Sequence, residues 1–209
     1  MIFLARHKIV YWPIPKNACT SMKFALYQLD TGRNFRSDYD FQVHAAYPTL
    51  ANGGLSDRRV SADHLKCIIV RDPIERFISG FSNRVVYHNG LADIEMRASK
   101  REAAIMDINE FAARFEFFLR KSSSIHHHFQ PQMDYVRHVL DCSDLVVDLK
   151  EISKVERAIQ ERAPEFSMER RQTGNAQKKA SNLEINEKTR SMLLDYYAED
   201  YRRLEPYLA

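Results

Sequence analysis

The chain has 209 residues, 44% of them hydrophobic, a size and composition that fit one globular domain spanning 1–209. Its 31 basic residues against 28 acidic ones leave a net charge of +3, which weakly favours anionic ligands and excludes the basic stripe of a dedicated nucleic-acid binder. Cys19, Cys67 and Cys142 form an odd set without metal-ligand spacing, so the expectation is a reducing, cytoplasmic setting rather than a disulfide framework, and no long apolar run suggests a leader or a membrane span.

Taken in order, residues 8–12 (KIVYW) suit a buried strand, and Met22, Ala25, Leu26 and Leu29 recur at helical spacing over about 20–30. Residues 31–64 are polar and carry Gly32, Pro48, Gly53 and Gly54, so they read mostly as loop and short elements. A second strand covers 66–70 (KCIIV), and a helix starts after it, with Asp72 as cap, Pro73 in the first turn and Glu75 completing a capping-box-like pair. The charged stretch 92–105 reads as a surface excursion. Ile108, Phe111, Ala112, Phe115, Phe118 and Leu119 mark one further helix. Residues 144–149 (DLVVDL) form a third strand, a helix follows with Ile152, Val155 and Ile159, and after a basic loop a last helix carries Leu193, Tyr196, Tyr197 and Tyr201. Strands alternating with helices give an α/β fold with a central parallel sheet, P-loop-like in layout.

Two constellations carry chemistry. In Val10–Ser21 a strand runs through a lysine turn into a helix that begins on Thr20 and Ser21. Such a helix start points unpaired N–H groups outward and adds the positive end of the dipole, so with Lys16 it makes an anion cradle for a phosphate or phosphosulfate. The G-x-x-x-x-G-K-[ST] pattern of nucleotide triphosphatases is missing, and a plain turn with an exposed lysine is the alternative. In the second, Val70–Gly80, Arg71 stands at the carboxyl end of a strand, where open α/β sheets bind ligands, and its planar fork suits a phosphate. Ser79 beside Gly80 offers a donor. Here the alternatives are an Arg71–carboxylate pair and a small packing serine.

Together the two stretches resemble the sulfotransferases that use 3′-phosphoadenosine 5′-phosphosulfate (PAPS). Pro15-Lys16-Asn17-Ala18-Cys19-Thr20-Ser21 looks like their 5′-phosphosulfate loop, and Arg71 through Ser79 like their 3′-phosphate motif. The likeness is greatest to the Golgi carbohydrate branch, especially the hexuronic-acid O-sulfotransferases of heparan and dermatan sulfate, with a P-K-T-A-S-T-S loop and an R-D-P-I-E-R-x-x-S run. It is strong over 10–30 and 66–84 and weaker at 41–47 and 172–182. The shorter chain fits a soluble, bacterial-type member.

The resemblance implies that Lys16, Asn17 and Ala18 to Ser21 surround the 5′-phosphosulfate, and that Arg71 and Ser79 hold the 3′-phosphate that ATP lacks. His44, in Phe41–Tyr47, is the candidate general base, since imidazole titrates near neutral pH; a surface or core histidine is the alternative. The triplet His126-His127-His128 does not converge as a metal site and reads as a loop-to-helix entry, its histidines lining the acceptor cleft or simply exposed. His128-Phe129-Gln130-Pro131-Gln132 is similar to an H-x-x-P-Q element of the family, which makes His127 or His128 the reserve base. Lys178, Lys179 and Ser181 sit in a loop similar to the one that closes over the nucleotide, or form a solvated charge run.

The expected activity is therefore sulfuryl transfer from PAPS to an acceptor hydroxyl, a sugar or glycan first, by in-line displacement. Moving a singly charged group lets positioning and a few fixed cations do the work without an obligatory metal. A P-loop-like kinase using ATP and a non-catalytic nucleotide or anionic-polymer binder are the competing readings.

Overall fold

The computed structural model describes residues 1–35, 41–49, 60–88, 90–91, 106–169 and 183–209. In chain order the elements are β1 (Ile2–Leu4), β2 (Ile9–Trp12), α1 (Cys19–Thr31), α2 (Phe41–Ala46), β3 (Leu65–Val70), α3 (Pro73–Gly80), α4 (Ile108–Ala113), α5 (Phe115–Lys121), α6 (Ser123–Phe129), α7 (Met133–Val136), β4 (Leu145–Asp148), α8 (Ser153–Gln160), α9 (Glu187–Tyr196) and α10 (Ala198–Leu204). A π-helical stretch, Phe81–Tyr87, continues α3. The chain forms two compact units, 1–71 with 132–171 and 203–209, and 72–131 with 172–202.

The first unit holds the sheet, in the order β1-β2-β3-β4. β2, β3 and β4 run parallel, Trp12 facing Ile68 and Val70 facing Asp148. β1 is antiparallel at the edge, with Ile2 opposite Tyr11. Side chains of a strand alternate between faces, and both faces are covered. Ile9, Tyr11, Cys67 and Ile69 pack with Met22, Leu26 and Leu29 of α1 and Val155 and Ile159 of α8. Val10, Trp12, Ile68 and Val70 pack with Met133 and Val136 of α7, Val139 and Leu140. Burial on both faces is why β2 and β3 read as continuous apolar runs rather than alternating ones. The carboxyl ends of β2 and β3 thus lie side by side.

The second unit is helical around an aromatic core of Phe77, Phe81, Phe111, Phe115, Phe118 and Phe129, with Leu193 and Tyr197. Asp72 caps α3 by accepting from Glu75 N–H at 2.8 Å. A reciprocal capping box closes at Asp107 and Glu110. Two expected helices are each broken in two. Arg114 (φ −111°, ψ 15°) separates α4 from α5, its guanidinium lying 4.8 Å from the centroid of the Phe118 ring. Tyr197 (φ −100°, ψ 20°) separates α9 from α10, its buried hydroxyl donating to the Phe129 carbonyl at 2.6 Å. The break at Tyr197 accompanies a tertiary contact and that at Arg114 a local one with Phe118 a turn later, and neither is marked by Gly or Pro.

A Cβ on Gly80 would meet Cε1 and Cζ of Phe129 at 3.0 Å. That ring is boxed in by Phe77 at 5.3 Å and Phe111 at 5.2 Å between centroids. Helix propensity alone gives Gly80→Ala a gain of about 1 kcal/mol, whereas overpacking costs about 1–3 kcal/mol. We expect a net loss, read as a lower urea midpoint; a raised midpoint would show that the ring yields.

Candidate functional site

The loop between β2 and α1 is the centre of the site. Lys16 (φ 71°) and Ala18 (φ 56°) both adopt the left-handed conformation, with Asn17 between them outside it. A non-glycine residue pays about 1–2 kcal/mol for that conformation. Ala18 is the N-cap of α1 and has no side-chain bond to the first turn. Ser, Thr, Asp or Asn would occupy that place if the helix start were to be closed internally. The 13-residue α1 instead presents its first N–H groups and the positive end of its dipole.

What holds the strained loop is a buried amide network. Asn17 is wholly buried, and its Nδ2 donates to the Ile69 carbonyl at 2.9 Å and to Gln132 Oε1 at 2.7 Å. Gln132, also wholly buried, accepts from Arg71 N–H at 3.1 Å and donates Nε2 to the Arg71 carbonyl at 2.7 Å. One carboxamide therefore pairs with the backbone of Arg71 as another strand would and fastens it to the loop. The Arg71 guanidinium reaches the Lys16 carbonyl at 3.5 Å. The Asn17 side chain is thus turned into the protein, and its backbone N–H donates to the Ile14 carbonyl at 3.3 Å, so Asn17 shapes the loop from within.

His44 on α2 stands against α1. Its Nε2 lies 3.1 Å from Thr20 Oγ1 and its Nδ1 2.9 Å from Lys23 Nζ. Lys23 is wholly buried and also donates to Thr49 Oγ1 at 2.7 Å. Burial pushes the Lys23 ammonium down to about 8, against an opposing pull from Cys19. Cys19 is itself nearly buried, so its backbone rather than its thiol is available at the loop. Ser21 lines a small pocket of about 130 Å³ with Phe24, Gln28 and Phe35.

The structure thus brings Lys16, Asn17, Ala18, Cys19, Thr20, Ser21, His44 and Arg71 together in the first unit. Ser79 is half-buried on α3 of the second unit. Lys178, Lys179 and Ser181 lie outside the described residues. The histidine triplet forms the last turn of α6 rather than a loop-to-helix entry. His128 Nδ1 donates to the Ser124 carbonyl at 2.8 Å, and its Nε2 accepts from Arg84 at 2.9 and 2.7 Å, so the lone pair of that ring is engaged. Tyr197 belongs to the aromatic core, and the Tyr201 hydroxyl donates to Asp72 at 3.2 Å. All three cysteines are free. Among the described residues no group of His, Cys, Asp and Glu converges as a metal site, and no helix is long and apolar enough to cross a membrane.

Two participants escaped the sequence. Gln132 lies inside the H-x-x-P-Q element, where histidine is the residue with the more conspicuous chemistry. Lys23 lies between the apolar positions Met22 and Ala25 of α1, and a lysine on a buried stripe was a signal to follow. Leaving a buried polar group unpaired costs about 1–3 kcal/mol. Gln132→Leu strands the Asn17 amide and the strand end at Arg71, so the unfolding free energy in urea should fall by about 2 kcal/mol or more. A change within about 0.5 kcal/mol, typical of neutral surface substitutions, would mean that the network does not hold the loop.

Neither a curated protein nor a solved structure matches the chain. The model described as Sulfotransferase family matches residues 1–207. With an anion-presenting helix start beside an arginine at the carboxyl edge of a parallel sheet, the match covers nearly all of the sequence: the chain belongs to the sulfotransferase family, whose chemistry is sulfuryl transfer.

Proposed function

We propose that this protein is a PAPS-dependent O-sulfotransferase, that 1–209 works as one sulfotransferase-like domain, and that its acceptor is a hydroxyl of a sugar or glycan. The observation that supports this most is the start of α1, where Lys16 and Ala18 are held left-handed and the N-cap residue, Ala18, gives the helix no side-chain cap. Strain of this kind persists only where the surroundings over-determine it, and it marks ligand clamps. An anionic group fits there, because N–H groups, the dipole and Lys16 all favour negative charge.

The donor, when bound, supplies an activated sulfuryl group whose departure leaves adenosine 3′,5′-bisphosphate. Lys16 and the N–H groups of Ala18 to Ser21 stabilise charge on the departing phosphate oxygen. Arg71 meets the 3′-phosphate with its fork, and Ser79 keeps the role that the motif resemblance gives it. The acceptor oxygen attacks sulfur in line, and His44 takes its proton. His44 is preferred over His128 because its Nε2 stands 3.1 Å from Thr20 Oγ1 at the start of α1. The free cysteines fit a reducing, cytoplasmic setting. No step requires a metal.

Thermal unfolding with adenosine 3′,5′-bisphosphate, ADP and ATP tests the donor. At a hundred times the dissociation constant a native-state ligand adds about 2.7 kcal/mol, a rise of about 5–10 °C for a chain of this size. We expect it for the bisphosphate and much less for ADP. Tighter binding of magnesium–ATP would support a kinase instead, and binding that collapses with salt without preference for a 3′-phosphate would support a polyanion binder. Lys16→Ala and Arg71→Ala should each weaken the bisphosphate at least tenfold, about 1.4 kcal/mol; unchanged affinity in both would defeat the assignment. His44→Ala should bind the bisphosphate normally and lose sulfuryl transfer.

A further inference from the structure

The arrangement of His44 raises a problem for a base. A lysine ammonium has three donors and no lone pair. While Lys23 is charged, its Nζ donates to His44 Nδ1 at 2.9 Å. The neutral ring then carries its proton on Nε2 and donates it toward Thr20 Oγ1, 3.1 Å away. In that tautomer the nitrogen beside Thr20 has no lone pair, so it cannot take a proton from an acceptor hydroxyl. Adding a proton to the ring would set two cations against each other within a hydrogen bond's length.

A neutral amine reverses the pattern. It offers one lone pair, which Nδ1–H can meet, while an amine N–H still serves Thr49 Oγ1 at 2.7 Å. The Nε2 lone pair then faces Thr20 Oγ1, 3.1 Å away, and can accept a proton from an acceptor hydroxyl that takes the place of the threonine's. We propose that Lys23 is the positioning residue that decides which nitrogen of His44 carries the proton, and that His44 acts as a base only while the Lys23 amine is neutral. This deepens, and rests on, the reading of His44 as general base. In the transfer step the acceptor oxygen forms its bond to sulfur as the bond from sulfur to the 5′-phosphate oxygen breaks. The acceptor proton goes to Nε2, the Nδ1 proton goes to Nζ, and Lys23 ends as the ammonium. Lys23 thus occupies the place behind the histidine that a carboxylate takes in a Ser-His-Asp arrangement.

Burial of Lys23 makes this exchange accessible. Among the described residues, the titratable groups facing it are Cys19 on its own helix, His44 on α2 and the amino group of Met1, whose own pKa is lowered first by burial and then by Lys23. With Lys23 brought down to about 8, the amine crosses from charged to neutral just above physiological pH. One pH unit below that midpoint, about one molecule in ten is neutral.

Long-range ¹H–¹⁵N spectra of the imidazole nitrogens, recorded on the whole protein from pH 6.5 to 9.5, test this without donor or acceptor. His44→Asn assigns the signals. The wild-type ring should be the Nε2–H tautomer at pH 7 and convert to Nδ1–H with a midpoint near 8, a rise of about tenfold in the Nδ1–H fraction by pH 9.5. Lys23→Met should abolish the conversion. A tautomer that stays constant across the range, or the same conversion in Lys23→Met, overturns the proposal. The wild-type titration decides alone if that variant does not fold. Failure of the donor assignment shows separately, as absent stabilisation by the bisphosphate, and leaves the tautomer result unaffected.

Discussion

The carboxamide of Gln132 is the constraint on which the site depends. It completes the hydrogen bonding of Arg71 on both its N–H and its carbonyl, and it accepts from Asn17 in the loop after β2. Two segments far apart in the chain, the end of β3 and the start of α1, are joined through one buried side chain. Buried amides of this kind cost much when half satisfied and rigidify when paired. The left-handed Lys16 and Ala18 are affordable because Asn17 between them is fixed from the inside, to Ile69 as well as to Gln132.

From that anchoring the rest follows in order. A parallel sheet buried on both faces leaves the carboxyl ends of β2 and β3 as neighbours, the region where such sheets take ligands. The loop there ends in a helix whose N-cap, Ala18, has no capping side chain, so that residue leaves the positive end of the dipole open. Thr20, one residue into that helix, meets His44, and Lys23, one turn from Cys19, stands behind it. The proposed anion binding and proton handling both rest on the first two turns of α1, which makes the relative geometry of those residues as rigid as a helix.

Much of this was legible in the residues. The runs at 8–12 and 66–70, the helix carrying Met22, Leu26 and Leu29, and the cap at Asp72 each obey local rules, and the structure has them within a residue or two. The family followed from two motifs read together. What stayed hidden was set by tertiary contact. Ile2–Leu4 is too short to announce its antiparallel pairing. The break at Tyr197 goes with a bond to Phe129, 68 residues away, and not with any local breaker. Gln132 has no periodicity to betray it, and the partner of Lys23 is 21 residues away on another helix. The motif resemblance puts Asn17 at the phosphosulfate, but motif spacing says nothing of which way a side chain turns, and its amide is turned to Ile69 and Gln132.

The most direct measurement is a crystal structure with adenosine 3′,5′-bisphosphate. The account predicts the 5′-phosphate on the N–H groups of Ala18 to Ser21 with Lys16 beside it, the 3′-phosphate on Arg71, and Asn17 and Gln132 unmoved from their mutual bond. A nucleotide bound elsewhere, or one whose 5′-phosphate leaves the start of α1 untouched, would contradict it.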